Sequence, residues 1–378
     1  MYDDIRPYND AETMAALKRA STNRLMDQIS AFLFPGKDPD ILRNTLNTIH
    51  GVDDFQTRVM YPAVRSILAK TTKGLTYEGL EWFEGGRCYT MLSSHRDIVL
   101  DSAFIQYIFR DNNLPFSEIA VGDNLIYNGF VEDLMRSNRM IKVIRGAQPR
   151  ELYRISGELS SYMRMRLHDE HPASIWISHR NGRTKDGIDR TEQGLLKMLS
   201  LSGDPDFAAN MKDLSLMPVA VSYEYESCGI KKAYEIYVKQ KLGAYTKRPG
   251  EDLESIILGI MQQKGHVHVA FCKPITDEEL AHCAALEKNE RFRALAAIVD
   301  DRIHKAWRIW PTNIAAAELL NGEAPSDPHV TAQFEQYIKE DLDTLPRNPA
   351  LRRTIREILL KIYAAPVSYK TESHSLQV

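Results

Sequence analysis

The stretch CYTMLSSHRDIVLD (residues 88–101) carries the decisive pattern. A short apolar run, 88–92, reads as a strand. The polar Ser93, Ser94, His95, Arg96 and Asp97 follow, and then the apolar spacing of a helix begins. The same order recurs along the chain. Residues 117–121 read as a strand that ends in Gly122, Asp123 and Asn124, and 140–144 as one that ends in Arg145 and Gly146. Residues 173–178 lead into the polar 179–187, and 216–222 lead into Tyr223 and Glu224. The alternating HVHVAF (266–271) reads as a sixth strand. Helical patterns separate these runs. Strands alternating with helices predict an α/β layer architecture with a largely parallel sheet. In such sheets ligands sit beyond the carboxyl ends of the strands. The polar clusters that end the first five strands are therefore expected to meet in one crevice.

Both ends of the chain read as helical extensions. In AETMAALKRASTNRLMDQISAFLF (11–34) apolar residues recur at three- and four-residue steps, and Pro35-Gly36 closes the segment. A second amphipathic stretch, 53–69, contains Pro62, which is expected to break or kink it. After Pro274 helical spacing returns and runs to Pro311; the final pattern is LRRTIREILLKIY (351–363), with a polar, loose tail from Ser368. The expected division is a helical region at 1–75, an α/β domain at 76–320 and a helical extension at 321–378.

Composition narrows the function classes. Of 378 residues 43% are hydrophobic and 26% charged, which excludes wholesale disorder and disulfide miniproteins. Lys plus Arg (48) nearly balances Asp plus Glu (51), for a net charge of -3. There is no global field to attract nucleic acid, which is not expected as a partner; an anion site must be a local cluster. Cys88, Cys228, Cys272 and Cys283 show no CxxC spacing and read as thiols of a reducing, cytoplasmic compartment. The polar, acidic MYDDIRPYND is no secretory signal. The longest run free of Asp, Glu, Lys and Arg, 214–223, falls far short of the roughly 20 residues a spanning helix needs.

Three clusters could carry chemistry. On the loop leaving a buried strand, His95 can be held by Asp97 or Asp101, which would fix its tautomer and leave the other ring nitrogen to take a proton. The plain alternative is a loop histidine with either aspartate capping the next helix. In 180–187, Asn181 and Gly182 sit among Arg180, Arg183 and Lys185, a pattern that can bind phosphate or form a charged surface loop. Gly122 and Asn124, with Arg145 some twenty residues on, form a weaker third cluster. His168 and His171 have i, i+3 spacing but no third metal ligand at a familiar distance, so a solvated helix end is expected and no metal.

Taken together and in order, these blocks resemble the glycerolipid acyltransferase superfamily, in particular the branch of bacterial glycerol-3-phosphate and peroxisomal dihydroxyacetone-phosphate acyltransferases. SSHRDIVLDSAFI (93–105) is similar to the family's His-Arg-x-x-x-Asp block. AVGDNL (120–125) with KVIRG (142–146) resembles the Gly-x-Asn-Leu block and its downstream Ile-Arg. WISHRNGRTKDG (176–187) resembles the phosphate-binding Glu-Gly-x-Arg block, and LMPVAVSYEY (216–225), with Pro218, the Ile-Pro block ending in Tyr-Glu. A fifth stretch, 241–275, resembles the Leu-Gly to Phe-x-x-Pro-Ile pattern of the same branch. The resemblance covers roughly 80–320. It departs at two points. Five residues, not four, separate His95 from Asp101, and Asn181 stands where the family has Glu. On a continuous helix a six-residue step turns about 240°, so the pairing requires His95 to precede the helix.

The resemblance implies an acyltransferase-like α/β fold, with a mixed, mostly parallel sheet flanked by helices, and a fatty acyl transfer to a hydroxyl of glycerol 3-phosphate or a lysophospholipid. The donor would be acyl carrier protein or a coenzyme A thioester, a co-substrate and not a bound cofactor. His95 would be the base and Asp101 its orienting acid, with Asp97 the alternative. Arg96, Gly122, Asn124, Arg145, Asn181, Gly182, Arg183, Lys185 and Pro218 would bind substrate. Such products imply a peripheral site at the inner face of the membrane, and 351–363 is amphipathic enough either to lie in the interface or to pack on the domain. Asn181 leaves open a non-phosphate acceptor such as an aminolipid, and the altered spacing a binding protein without turnover.

Overall fold

The computed structural model describes residues 2–375 apart from 35, 39, 127, 128 and 147. Its centre is a seven-stranded sheet: β1 (Thr72–Glu78), β2 (Thr90–Ser93), β3 (Glu118–Gly122), β4 (Met140–Val143), β5 (Ile175–Ser178), β6 (Leu216–Tyr223) and β7 (Gly265–Phe271). The spatial order is β1-β7-β6-β2-β5-β3-β4. Neighbours run parallel except β6 and β7, which are antiparallel. The alternating pattern predicts the largely parallel α/β sheet, and the mixed, mostly parallel sheet flanked by helices is the one the resemblance implies. Strand β1 was not legible. TKGLTYE is an edge strand half open to solvent, so it carries no apolar run, and it follows a helix without a break. It also runs across residue 75.

The central strands are buried on both faces, which is why they read as unbroken apolar runs. Alternate residues feed two cores. Leu92, Ile175, Ile177, Leu216 and Ala220 face one; Met91, Trp176, Met217, Val219 and Val221 face the other.

The helices before the sheet are α1 (Asp10–Ser21), α2 (Leu25–Leu33), α3 (Ile41–Leu46), α4 (Val52–Phe55) and α5 (Tyr61–Thr71). Asn9 and Glu12 form a reciprocal capping box that starts α1. Pro35, read as part of the stop after α2, lies outside the described residues. Pro62 breaks nothing. It sits in the first turn of α5, and the wide π-turn Gln56–Met60 before it relieves the carbonyl clash that a proline brings to a regular helix.

Between strands lie α6 (Leu100–Asp111), α7 (Gly129–Ser137), α8 (Pro149–His168), α9 (Gln193–Leu199), α10 (Phe207–Asp213), α11 (Gly229–Leu242) and α12 (Glu251–Met261). After the sheet come α13 (Asp277–Ala284), α14 (Lys288–Ala306), α15 (Pro311–Asn321), α16 (Pro328–Asp343) and α17 (Pro349–Ser375). Ile355, Ile358, Leu359, Ile362 and Tyr363 of α17 are buried with residues of α11, α15 and α16. That packing consumes the apolar face that could have lain in a membrane. The helix continues past Ser368, where the sequence reads as a loose tail, because the Tyr369 ring packs against His304 (4.2 Å between centroids) and Trp307.

Candidate active site

The exits of β2, β3, β4 and β5 meet at one end of the sheet. Ser93 pairs in register with Ser178 on one side and Val219 on the other, so His95 emerges between the loop that leaves β5 and the last residues of β6, which runs on to Tyr223. The neighbouring serines are tied into the frame. Ser93 Oγ donates to the carbonyl of Ser94, and Ser94 Oγ accepts the Val221 N–H. Both are fully buried.

His95 precedes α6, as its pairing requires. Its Nδ1 lies 3.2 Å from Asp101 Oδ2. Asp101 stands in the first turn of α6, fully buried. Four donors converge on its two oxygens: Nδ1 of His95, the N–H groups of Arg96 (2.7 Å) and Asp97 (2.9 Å), and the Tyr223 hydroxyl (2.8 Å). Burial pushes the Asp101 carboxyl up, and the His95 contact pulls it back. With Nδ1–H given to a carboxylate, the other nitrogen of the ring, Nε2, is left as the proton acceptor. Asp97 takes the other role open to it. Its Oδ1 accepts the N–H groups of Val99 and Leu100, both at 2.8 Å, and its Oδ2 takes the Ser227 hydroxyl. It caps the entry to α6 and does not touch His95.

His95 opens on a cavity of about 270 Å³. Gly122, Asn124, Arg145, Gly182 and Arg183 line it too, from the ends of β3, β4 and β5. Arg145 donates to Asn181 Oδ1 at 2.7 Å. Gly122 gives this guanidinium its seat: a Cβ there would come within 2.7 Å of the Arg145 guanidinium and 2.5 Å of Asn124 Oδ1. Arg183 presents a buried Nη1 that has no hydrogen-bond partner among the described residues. Lys247 adds a third cation at the rim, 2.5 Å from Asp252. A cavity wall with three cations and one carboxylate, one guanidinium nitrogen unpartnered, has the chemistry to hold an anion.

Three of the residues singled out in the sequence stand away from this cavity. Arg96 is buried and turned beneath the loop, where it donates to Asp189 (3.0 Å) and to the Gly187 carbonyl (3.1 Å). Lys185 is held by Glu235 of α11, which also pairs with Lys239. Pro218 lies inside β6 opposite Leu92, and its carbonyl accepts the Cys272 N–H. Charge type alone could not separate Arg183, which faces the cavity, from Lys185 two residues on.

The Arg96 network was invisible from sequence. Burial pushes the Asp189 carboxyl up, but the Arg96 guanidinium and the donors around it outweigh that and hold it well below the ordinary carboxylate range. Thr184 Oγ1 and Trp307 Nε1 donate to the same carboxylate. Lys232 ties the Arg96 carbonyl to Glu226. The Thr184 N–H reaches the His95 carbonyl at 2.7 Å, so the cation-bearing loop and the histidine loop are fastened together. Lys247 does not stand out in the sequence, and Tyr223 does so only as a polar residue that ends its strand, although both lie in blocks that carry the resemblance. The paired His168 ends α8 against Asp213, and no group of metal-ligating side chains exists among the described residues.

A second, apolar cavity of about 500 Å³ lies between the N-terminal helices and α12. Phe32, Phe55, Val64, Ile67, Ile257 and Met261 are among its lining residues. It shares a wall with the His95 cavity, made of Val99, Leu134, Met135 and Met140.

No family model and no curated protein matches the chain. Among solved structures it is similar to the crystal structure of a 1-acyl-sn-glycerophosphate (LPA) acyltransferase from Thermotoga maritima, at 12% identity and a TM-score of 0.39, over 78% of this chain and 95% of that one. At that score the likeness carries no functional argument.

Proposed function

We propose that the chain is an acyltransferase that moves a fatty acyl group from a thioester, of acyl carrier protein or coenzyme A, to a hydroxyl of glycerol 3-phosphate or a lysophospholipid. The observation that carries this reading is the juxtaposition at His95. A histidine backed by a buried carboxylate faces a cation-lined cavity, and the apolar cavity shares its wall. Each part answers one need of the reaction. His95 Nε2 takes the proton of the attacking hydroxyl, a contribution of typically 10²–10⁴-fold. Arg145, Arg183 and Lys247 hold an anionic group and so orient that hydroxyl. The apolar cavity takes the acyl chain, at about 0.8 kcal/mol for each methylene buried. A thioester is already activated, so no acyl-enzyme is required.

Asn181 favours an anionic acceptor. A carboxylate at this position would neutralise Arg145; the amide accepts its hydrogen bond and leaves the charge available. Location at a membrane surface is supported by α12, whose Leu253, Ile257 and Met261 are exposed one helical turn apart, two of them also lining the apolar cavity. No helix among the described residues is long and apolar enough to cross a membrane.

The test is a screen of long-chain acyl thioesters against glycerol 3-phosphate, lysophosphatidate, dihydroxyacetone phosphate and a lyso-aminolipid, with ester product quantified. Acyl transfer to a phosphorylated acceptor is the expected result. Transfer only to the aminolipid would move the reading to a non-phosphate acceptor, and no transfer to any acceptor would refute it.

A further inference from the structure

A carbonyl under attack becomes an oxyanion, and a site that accelerates acyl transfer must present a hydrogen-bond donor to it. Several of the backbone amides around His95 are spoken for. Those of Arg96 and Asp97 go to Asp101, those of Val99 and Leu100 to Asp97, and that of Thr184 to the His95 carbonyl. Two side-chain donors nearby are unspent among the described residues: Arg183 Nη1, which belongs to the cation wall, and the indole of Trp176. Trp176 lies on β5, in register with Met91 of β2 and Ile119 of β3, and is only 3% exposed. Its Nε1–H is buried with no hydrogen-bond partner among the described residues. Buried donors are almost always paired, and a phenylalanine would fill most of the same space with no polar atom to satisfy. The indole lines the His95 cavity, and the two rings meet edge to face with centroids 5.8 Å apart. A group that reaches His95 from the cavity therefore also meets the indole. Tryptophan donates and cannot accept, which suits it to hold a developing negative charge.

We infer that Trp176 is a further catalytic residue of this site, its indole N–H donating to the thioester oxygen as that oxygen becomes an oxyanion. The inference rests on the acyltransferase reading above. In the step, the acceptor oxygen bonds to the carbonyl carbon, the carbonyl π pair moves onto oxygen beneath the Trp176 N–H, and the hydroxyl proton passes to His95 Nε2. The pair then returns, the carbon–sulfur bond breaks, and the departing thiolate takes that proton from His95. The products are an ester and a free thiol.

Trp176→Phe keeps a ring and removes the donor. With the wild-type chain transferring acyl groups, the variant is expected to lose on the order of 10²-fold in kcat. The KM for thioester should stay within a few-fold, and the pH profile should keep its shape because the His95–Asp101 pair is untouched. A merely structural role would instead lower the melting temperature or raise KM. A second measurement needs no variant to fold: a ketone analogue of the acyl thioester, with a methylene between sulfur and carbonyl, is added to the ¹⁵N-labelled wild-type chain. The indole N–H that shows a through-space contact to the His95 ring should shift downfield. Unchanged kcat in a folded Trp176→Phe, or no shift with analogue bound, overturns the indole's role alone. No acyl transfer by the wild-type chain overturns the underlying reading and this assignment with it.

Discussion

At the scale of single residues the chemistry turns on which atoms are free. His95 has one nitrogen committed to Asp101 and one left to work, and Asp101 is kept in place by donors from its own loop and from Tyr223. Tyr223→Phe removes one of the four. A hydrogen bond to a charged group is worth about 1.5–3 kcal/mol, so kcat for acyl transfer should fall about tenfold or more, with KM for acceptor nearly unchanged. Steady-state kinetics on the two chains checks this. Gly122→Ala should show the opposite split. The new methyl collides with the Arg145 guanidinium and Asn124, so KM for the anionic acceptor should rise several-fold while kcat for bound substrate holds. The His95 cluster was legible because a run of polar residues directly after a buried strand contributes little to a core and so points to a strand-end site. The choice between Asp97 and Asp101 was not, because both lie within one turn of the start of α6. It depends on the loop's path, which turns the amides of Arg96 and Asp97 onto Asp101 and leaves Asp97 to cap the helix.

At the scale of elements, two loops are pinned to each other from beneath. Arg96 and Asp189 form a fully buried pair, with Glu226 and Lys232 extending it to α11. Breaking one side of a buried pair costs about 3–5 kcal/mol, so Asp189→Asn should lower the melting temperature by about 5 °C in a chain of this size. Differential scanning calorimetry measures it. Arg96 looked like a substrate ligand in the sequence because it adjoins His95; the turn of the loop sends it the opposite way, into the protein. The same limit applies to Lys185, whose partner Glu235 lies fifty residues on. The N-terminal helices were legible as amphipathic, but not as the walls of a cavity, since an apolar stripe looks the same whether it meets side chains or open space. Filling that space with Ala63→Phe, on α5 at the cavity wall, should shorten the longest acyl chain accepted. Turnover against thioesters of graded length reads the change, and an unaltered length profile would place the acyl chain elsewhere.

At the scale of the molecule, the mostly parallel sheet was readable from its doubly buried strands, while the edge strand β1 and the reversal at β7 were not. Strand direction depends on where the connection crosses, and the HVHVAF alternation is silent on that. The join between β1 and β7 contains a buried amine. Lys264 is fully buried and donates to Thr71 Oγ1 and to the carbonyls of Gln262 and Ile260. Burial pulls its pKa down from 10.5 to about 8. Between those two values the folded chain holds fewer protons than the unfolded one, so stability should rise as pH climbs from 8 to 10.5, by about 3 kcal/mol. Urea denaturation across that range should show the slope, and Lys264→Met should flatten it. The face that α12 presents belongs to this scale too. Ile257→Asp should reduce co-sedimentation with anionic vesicles without altering the fold.

The central claim is that His95 relieves an acceptor hydroxyl of its proton while a thioester is cleaved. Release of free thiol from a long-chain acyl thioester, followed with and without acceptor in wild type and in His95→Ala, addresses it directly. The expected result is release that depends on the acceptor and falls 10²–10⁴-fold in a folded His95→Ala chain. Equal rates in the two chains, or release indifferent to acceptor, would contradict it.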